Sequence, residues 1–254
     1  MQNRLPVSVF ITVFATVFAS GVAQAQAVSN CKSESGSGIN PVLELYTSEG
    51  CSSCPPADAW LSRLKGAMTT ANSTGAVVQA FHVGYWDYIG WVDRFASPVH
   101  TKRQSMLRDA NKLPNLYTPQ LLRNGSDWRS WWGTDPATAL APSATPAKAH
   151  IQLQRLPDQS VQAKITADVG LRYAAYWTLT EHKLSNKVNA GENKGELLKH
   201  DHVVRQYAPV GQYAGSQTLS FAPLVQTGAV QVVNLVLHEV GSAKTVQALR
   251  LQCS

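Results

Sequence analysis

Two prolines stand directly after a Cys-x-x-Cys pair in "CSSCPP", residues 51–56, and they limit where a helix can start. Proline has no N–H to donate and its ring clashes with the turn before it, so two in succession fit a helix only in its first turn. The helix is therefore predicted to begin within Cys51–Cys54. Ala57, Trp60, Leu61, Leu64 and Met68 continue it with the spacing of one buried face. "VLELYT", residues 42–47, reads as a strand that Glu49-Gly50 breaks, and "GAVVQAFHVG", residues 75–84, as a second strand whose apolar centre suits burial on both faces. Strand, helix and buried strand make a βαβ unit, so this helix should pack on a sheet.

The aromatic-rich stretch "YWDYIGWVDRFASP" follows, residues 85–98. Ser97-Pro98 reads as an N-cap and first helical position, with Val99, Met106, Ala110 and Leu113 as a buried stripe and Lys102, Arg103, Arg108 and Lys112 on a solvated face. "LYTPQLLRNGSDW", residues 116–128, reads as a loop, a short strand and a turn at Asn124-Gly125, and Asp135-Pro136 can open a short helix. From His150 onward the pattern turns to alternation, in "HIQLQRL", "SVQAKITADV", "YAAYWTLTEH", "SQTLSFAP", "VQVVNLVLHEV" and "TVQALRLQ". Short alternating strands at this spacing predict a β-sandwich.

The compartment decides what the cysteines can do. Arg4 precedes an uncharged run from Leu5 to Ala27 that ends in "AQAQA", the pattern of a cleaved secretory signal over residues 1–27. The apolar stretch is too short and too interrupted for a membrane span, and no later segment comes close. A periplasmic or secreted protein of roughly 225 residues is expected, long enough for a sizeable core. The net charge of +6 is spread over single or paired basic residues, and no basic stripe points to nucleic acid. In an oxidising compartment four cysteines can pair fully, in three possible ways; the natural one joins Cys51 to Cys54 as local partners and leaves Cys31 and Cys253 at the two ends of the mature chain.

A cysteine at a helix N-terminus has its thiolate stabilised by unpaired N–H groups and the helix dipole. Cys51 is placed there and Cys54 a turn inside, so Cys51 is the expected nucleophile and Cys54 the resolving thiol of disulfide exchange. Zinc would need a second pair of ligands; His200 and His202 lie one residue apart in the other half, and no second Cys-x-x-Cys exists. No metal and no cofactor are therefore expected, with a copper site at Cys51, Cys54 and His82 as an alternative. His82, Tyr85, Trp86, Asp87 and Trp91 read as a groove lining the dithiol, with His82 or Asp87 handling a proton, or else as an aromatic core. "GENKGELLKHDHVVR", residues 191–205, carries Glu192, Glu196, His200, His202 and Arg205 and reads as a structured loop leading into a strand, or as a binding site.

The order of strand, Cys-x-x-Cys at a helix start, buried strand and Thr118-Pro119 before "QLLR" resembles the thioredoxin fold. "ELYTSEGCSSCPPAD", "FHVGYWDYIGW", "YTPQLLRNG" and "GENKG" with "HVVR" together resemble a secreted bacterial thioredoxin-like family catalogued as a domain of unknown function, number 1223. The resemblance implies a cis proline, Pro119, facing the cysteines, with Thr118 beside it. It also implies an α/β thioredoxin-like domain at 28–141 with a helical insertion at about 85–115; the small, Pro-containing "APSATPAK" reads as a linker, 142–148, before the β-sandwich domain at 149–254. Where thioredoxins carry a buried aspartate six positions before the first cysteine this chain has Leu45, so any base must come from elsewhere. Ser52-Ser53 leaves the direction of electron flow open. The expectation is a thiol-disulfide oxidoreductase acting on extracytoplasmic protein thiols or disulfides with a separate redox partner. The alternatives are a non-catalytic binding module with a structural disulfide, or the copper protein.

Overall fold

The computed structural model describes residues 31–68, 75–224 and 230–253, so the expected signal segment 1–27 lies outside the described residues. The first part of the chain runs β1 (Lys32–Glu34), β2 (Val42–Thr47), α1 (Pro55–Ala67), β3 (Val77–His82), α2 (Pro98–Ala110), β4 (Gln120–Arg123), β5 (Ser126–Asp127) and α3 (Pro136–Leu140). The rest is all strand: β6 (Ala149–Arg155), β7 (Val161–Ala167), β8 (Arg172–Glu181), β9 (Leu184–Lys187), β10 (Leu197–His200), β11 (Val203–Ala214), β12 (Gln217–Phe221), β13 (Gln231–Glu239) and β14 (Thr245–Leu251). Among the described residues no helix is long and apolar enough to cross a membrane.

These strands overturn the expected architecture. The fold is mostly β, not an α/β thioredoxin-like domain with a helical insertion followed by a β-sandwich domain. One eight-stranded sheet, in the order β14-β13-β8-β11-β3-β2-β4-β5, takes strands from both halves of the chain, and a four-stranded sheet, β1-β6-β7-β12, packs beside it. The physical reason lies at the edge of β3. Every residue of that strand is buried, so an unpaired edge there would leave N–H and C=O groups without partners. β11 covers that edge in parallel at Val203↔Ala80, and the Ala80 N–H donates to the His202 carbonyl at 2.8 Å. The segment 142–148 is likewise bonded down: the N–H groups of Ser143 and Ala147 donate to the carbonyls of Ile39 and Ser37 at 2.9 and 2.8 Å.

The apolar residues of the alternating strands meet between the two sheets, where Ile151, Ile165, Trp177, Leu235 and Leu249 form one core. Cys31 and Cys253 pack against this core and are joined by a disulfide, with Cα atoms 5.6 Å apart and a sequence separation of 222. In the chain-entropy picture a loop of that length restrains the unfolded chain by about 5 kcal/mol. The two faces of β2 alternate, so Leu43 and Leu45 meet Trp60, Leu61 and Leu64 of α1, while Tyr46 meets Phe81 and Leu107 on the opposite side. At the β4–β5 hairpin Asn124 and Gly125 both have positive φ, and a Cβ on Gly125 would collide with the Ala243 backbone.

Helix α2 begins at Pro98, but it presents a different face from the one its apolar residues suggest. Val99 and Met106 are about half exposed, at 48% and 51%, whereas His100, Arg103, Gln104 and Leu107 are buried. Arg103 decides this orientation. Glu44 lies on the α2 face of β2, and Arg103 grips its carboxylate with two hydrogen bonds of 2.8 and 2.7 Å while stacking over Tyr176 at 4.0 Å. The hydroxyls of Tyr46 and Tyr176 donate to the same carboxylate at 3.0 and 3.2 Å. Buried, bidentate and fully bonded, the pair outweighs the cost of leaving two apolar residues in water.

Arg103→Met should therefore lower stability by about 3–5 kcal/mol, because it strands an ionised Glu44 in the core. Adding Glu44→Met should restore a large part of that loss, read as the unfolding midpoint in urea at unchanged slope. A single variant as stable as the parent would show that the pair does not hold α2 to the sheet.

Candidate functional site

Strands β2 and β3 are parallel, so their carboxyl ends open at the same edge of the sheet, where α1 begins. Alternation aims Thr47 and His82, the last residues of these strands, at the α1 side. Cys54 is the N-cap of α1 with Pro55 and Pro56 in its first turn, and Cys51 stands in the turn just before it. The helix thus starts at the end of the expected window, and Cys51 is outside it.

Cys51 and Cys54 are joined by a disulfide with Cα atoms 5.4 Å apart. Both are buried, each 1% exposed, while Ser52 and Ser53 between them face solvent. Two loops cover Cys51. Asn193 donates from Nδ2 to the carbonyls of Glu49 and Cys51 at 2.8 and 3.0 Å. The Ser52 N–H donates to Glu192 at 2.8 Å, which holds that carboxyl below its usual range. On the other side Gly50 backs closely onto Trp86 and Ile89, and Gly191 onto Ile89 and Trp91, so a side chain at either position would crowd the neighbouring loop.

Beneath the disulfide lies a cluster of buried polar groups. His82 Nδ1 meets Asp93 Oδ2 at 2.7 Å, and the same oxygen accepts the Glu49 N–H at 2.9 Å. Burial opposes ionisation of Asp93, but His82 and the N–H groups of Glu49 and Phe95 outweigh it and hold the carboxyl low. His200, on β10, places Nε2 3.2 Å from Glu49 Oε1 and Nδ1 3.6 Å from Asp58 Oδ1, the second being an ion-pair separation beyond hydrogen-bond length. Burial works against its charge, yet the two carboxylates pull His200 up to about 9. Asp58 accepts from Thr47 Oγ1 at 2.6 Å, and Glu49 Oε2 accepts from Trp91 and Asn186 at 2.8 and 2.9 Å.

The residues singled out in the sequence fall unevenly around this site. Trp86 Nε1 donates to Thr118 Oγ1 at 2.8 Å, which ties the Thr118-Pro119 loop to the residue backing Gly50. The Thr118-Pro119 bond is cis and leads into β4. Asp87 accepts the Asp93 N–H at 3.2 Å, and burial pushes its carboxyl up. The ligand-type atoms gathered round His82 are those of Asp58 and His200, all within 4.8 Å of one another, whereas the two sulfurs are bonded to each other. Of the segment 191–205, Glu192 and His200 join the site. His202 packs against His182 at 4.5 Å between ring centroids, and Arg205 pairs with Glu181 at 3.3 Å.

Asp58, Asp93 and Asn193 were missed. Asp58 had a legible signal: it lies four residues after Cys54 and next to the buried stripe of α1, where a charge on an apolar face is the informative anomaly. Nothing local marks Asn193, whose role depends on the other half of the chain.

A sequence profile of the family described as "Protein of unknown function (DUF1223)" matches residues 42–237, and the chain belongs to that family. The crystal structure of protein AGR_C_4864 from Agrobacterium tumefaciens is similar, with a TM-score of 0.64 at 23% identity over 86% of this chain and 96% of that one. HBP35 of Porphyromonas gingivalis is similar with a TM-score of 0.56 at 16% identity, over 85% of this chain and 75% of that one. These likenesses concern the fold. No curated protein matches the sequence significantly.

Asn193→Ala removes two hydrogen bonds from the cover, worth about 1–2 kcal/mol. If opening of this loop controls access, the variant should be reduced by dithiothreitol roughly 5–30-fold faster at Cys51–Cys54, with Cys31–Cys253 unaffected. Alkylation and mass mapping during reduction would measure both bonds, and equal rates in variant and parent would count against the loop as a gate.

Proposed function

We propose that this DUF1223 protein carries out thiol-disulfide exchange through Cys51 and Cys54 in an extracytoplasmic compartment. The observation that carries the reading is the placement of the bonded pair at the start of α1, at the open ends of two parallel strands, with the ionisable side chain of Asp58 one turn further along. Its compartment is supported by the pairing of every described cysteine.

In the reduced protein the Cys51 thiolate attacks one sulfur of a partner disulfide, forming a mixed disulfide and releasing the partner's other sulfur as a thiolate. Cys54 then attacks Cys51 Sγ, which re-forms the Cys51–Cys54 bond and releases the partner's second sulfur. Two electrons pass to the partner. The reverse sequence oxidises a partner dithiol, and the redox partner that resets the pair determines the net direction. In this reading Asp58, four residues beyond Cys54 on α1, takes the resolving thiol's proton, the role for which the strand offers only Leu45. Thr118 and Pro119, tied to Trp86, form the wall along which a partner segment would lie.

The burial of both cysteines favours a second reading, in which the bond only staples the start of α1. The variants separate the two. Under exchange, Cys54→Ala should accumulate mixed disulfides with extracytoplasmic proteins, because the intermediate forms and cannot resolve, and Cys51→Ala should accumulate few. A reduction potential clearly above about −300 mV should accompany this. If neither variant traps a partner and the potential lies below that value, the staple reading stands.

A further inference from the structure

His82 and His200 each commit one ring nitrogen to a carboxylate and leave the other bare. His82 Nδ1 donates to Asp93, which puts the lone pair on Nε2, and that atom has no hydrogen-bond partner among the described residues although His82 is completely buried. His200 uses Nε2 on Glu49, and its Nδ1, 3% exposed as a side chain, likewise has no hydrogen bond and faces Asp58 Oδ1 at 3.6 Å. Two bare imidazole nitrogens and a carboxylate oxygen thus share one buried space, all within 4.8 Å. Lone pairs converging away from water repel one another unless a positive charge lies between them, and in the metal-free protein a proton on His200 supplies that charge. A proton on His200 would satisfy Asp58 and His200 but leave His82 Nε2 alone. A cation serves all three.

We propose that Asp58, His82 and His200 bind one divalent transition-metal ion of the zinc class, with Asp93 and Glu49 orienting the two histidines. A metal-ligating imidazole almost always donates its other N–H to a carboxylate, a backbone carbonyl or water, which sets the tautomer and raises the basicity of the ligating nitrogen. Both histidines have that arrangement here. Two imidazoles and one carboxylate suit Zn2+ and its neighbours rather than Mg2+ or Ca2+, which prefer oxygen throughout. Metal–ligand bonds of about 2.0–2.1 Å need donor atoms roughly 3.3 Å apart, a contraction of the cluster that side-chain torsions can supply. The ligands come from α1, β3 and β10, so the ion would clamp the two halves of the chain together at the helix that begins after Cys54. Neither cysteine is a ligand, so metal binding is measured on the oxidised protein independently of thiol-disulfide exchange, although both readings use Asp58.

The test uses the oxidised protein, stripped with a chelator and titrated with ZnCl2. The expected result is about one equivalent bound at micromolar affinity or tighter, with a rise in melting temperature. Asp58→Asn, nearly isosteric, and His200→Gln should each weaken binding by roughly 100-fold or more, and Asp93→Asn by about 10–100-fold through the orientation of His82. Cys51→Ser/Cys54→Ser should bind as the parent does. Circular dichroism of each metal-free variant identifies any that fails to fold, and the remaining variants then decide. Binding weaker than about 100 μM, binding untouched by Asp58→Asn, or binding lost with the cysteines would overturn the proposal.

Discussion

The fold depends on one short junction, the parallel contact of β11 with β3 at Val203 and Ala80. β3 is buried along its whole length and cannot be left as an edge, and β11 belongs to a strand set that also needs a neighbour. Joining them fuses what would otherwise be two sheets. It also delivers β9, β10 and the loop between them to the ends of β2 and β3, so that a chain separated from Cys51 by more than a hundred residues supplies Asn193 and His200 to the site.

Alternation along β2 and β3 keeps two buried polar systems apart. Glu44 faces α2, where Arg103 and the tyrosine hydroxyls satisfy it, and Gln79 on the same side bonds Thr178 and Tyr176. Thr47 and His82 face α1, where Asp58, Glu49, Asp93 and His200 gather. The first system is closed and holds a helix. The second leaves two imidazole nitrogens open, and that difference makes it the chemically interesting side of the sheet.

The disulfide, its covering loops and the polar cluster share atoms. Glu49 alone gives its N–H to Asp93, its carbonyl to Asn193 and its carboxylate to Trp91, Asn186 and His200, two residues before Cys51. Movement of the loop that carries Asn193 would loosen the backbone of Cys51 and the seat of His200 together. Access to the sulfurs and the charge beneath them are therefore linked through one residue.

Short-range physics made much of this legible from residue order. The prolines after Cys54 set the start of α1, β2 spans the expected residues 42–47, and the Asn124-Gly125 turn follows from its two positive φ angles. Family membership was also carried by local motifs. The sequence could not reveal which strand would cover β3, because backbone edges look alike in every apolar segment, and so the expectation of an α/β thioredoxin-like fold failed. It could not reveal that Arg103 turns inward, because a charge reads as solvated until its partner is known, and Glu44 lies across the sheet. Nor could it show that His200 and Asn193 stand beside Cys51. Local stereochemistry is written residue by residue, whereas the pairing of distant polar groups is decided only when the whole chain finds the arrangement that leaves the fewest of them unmatched in the core.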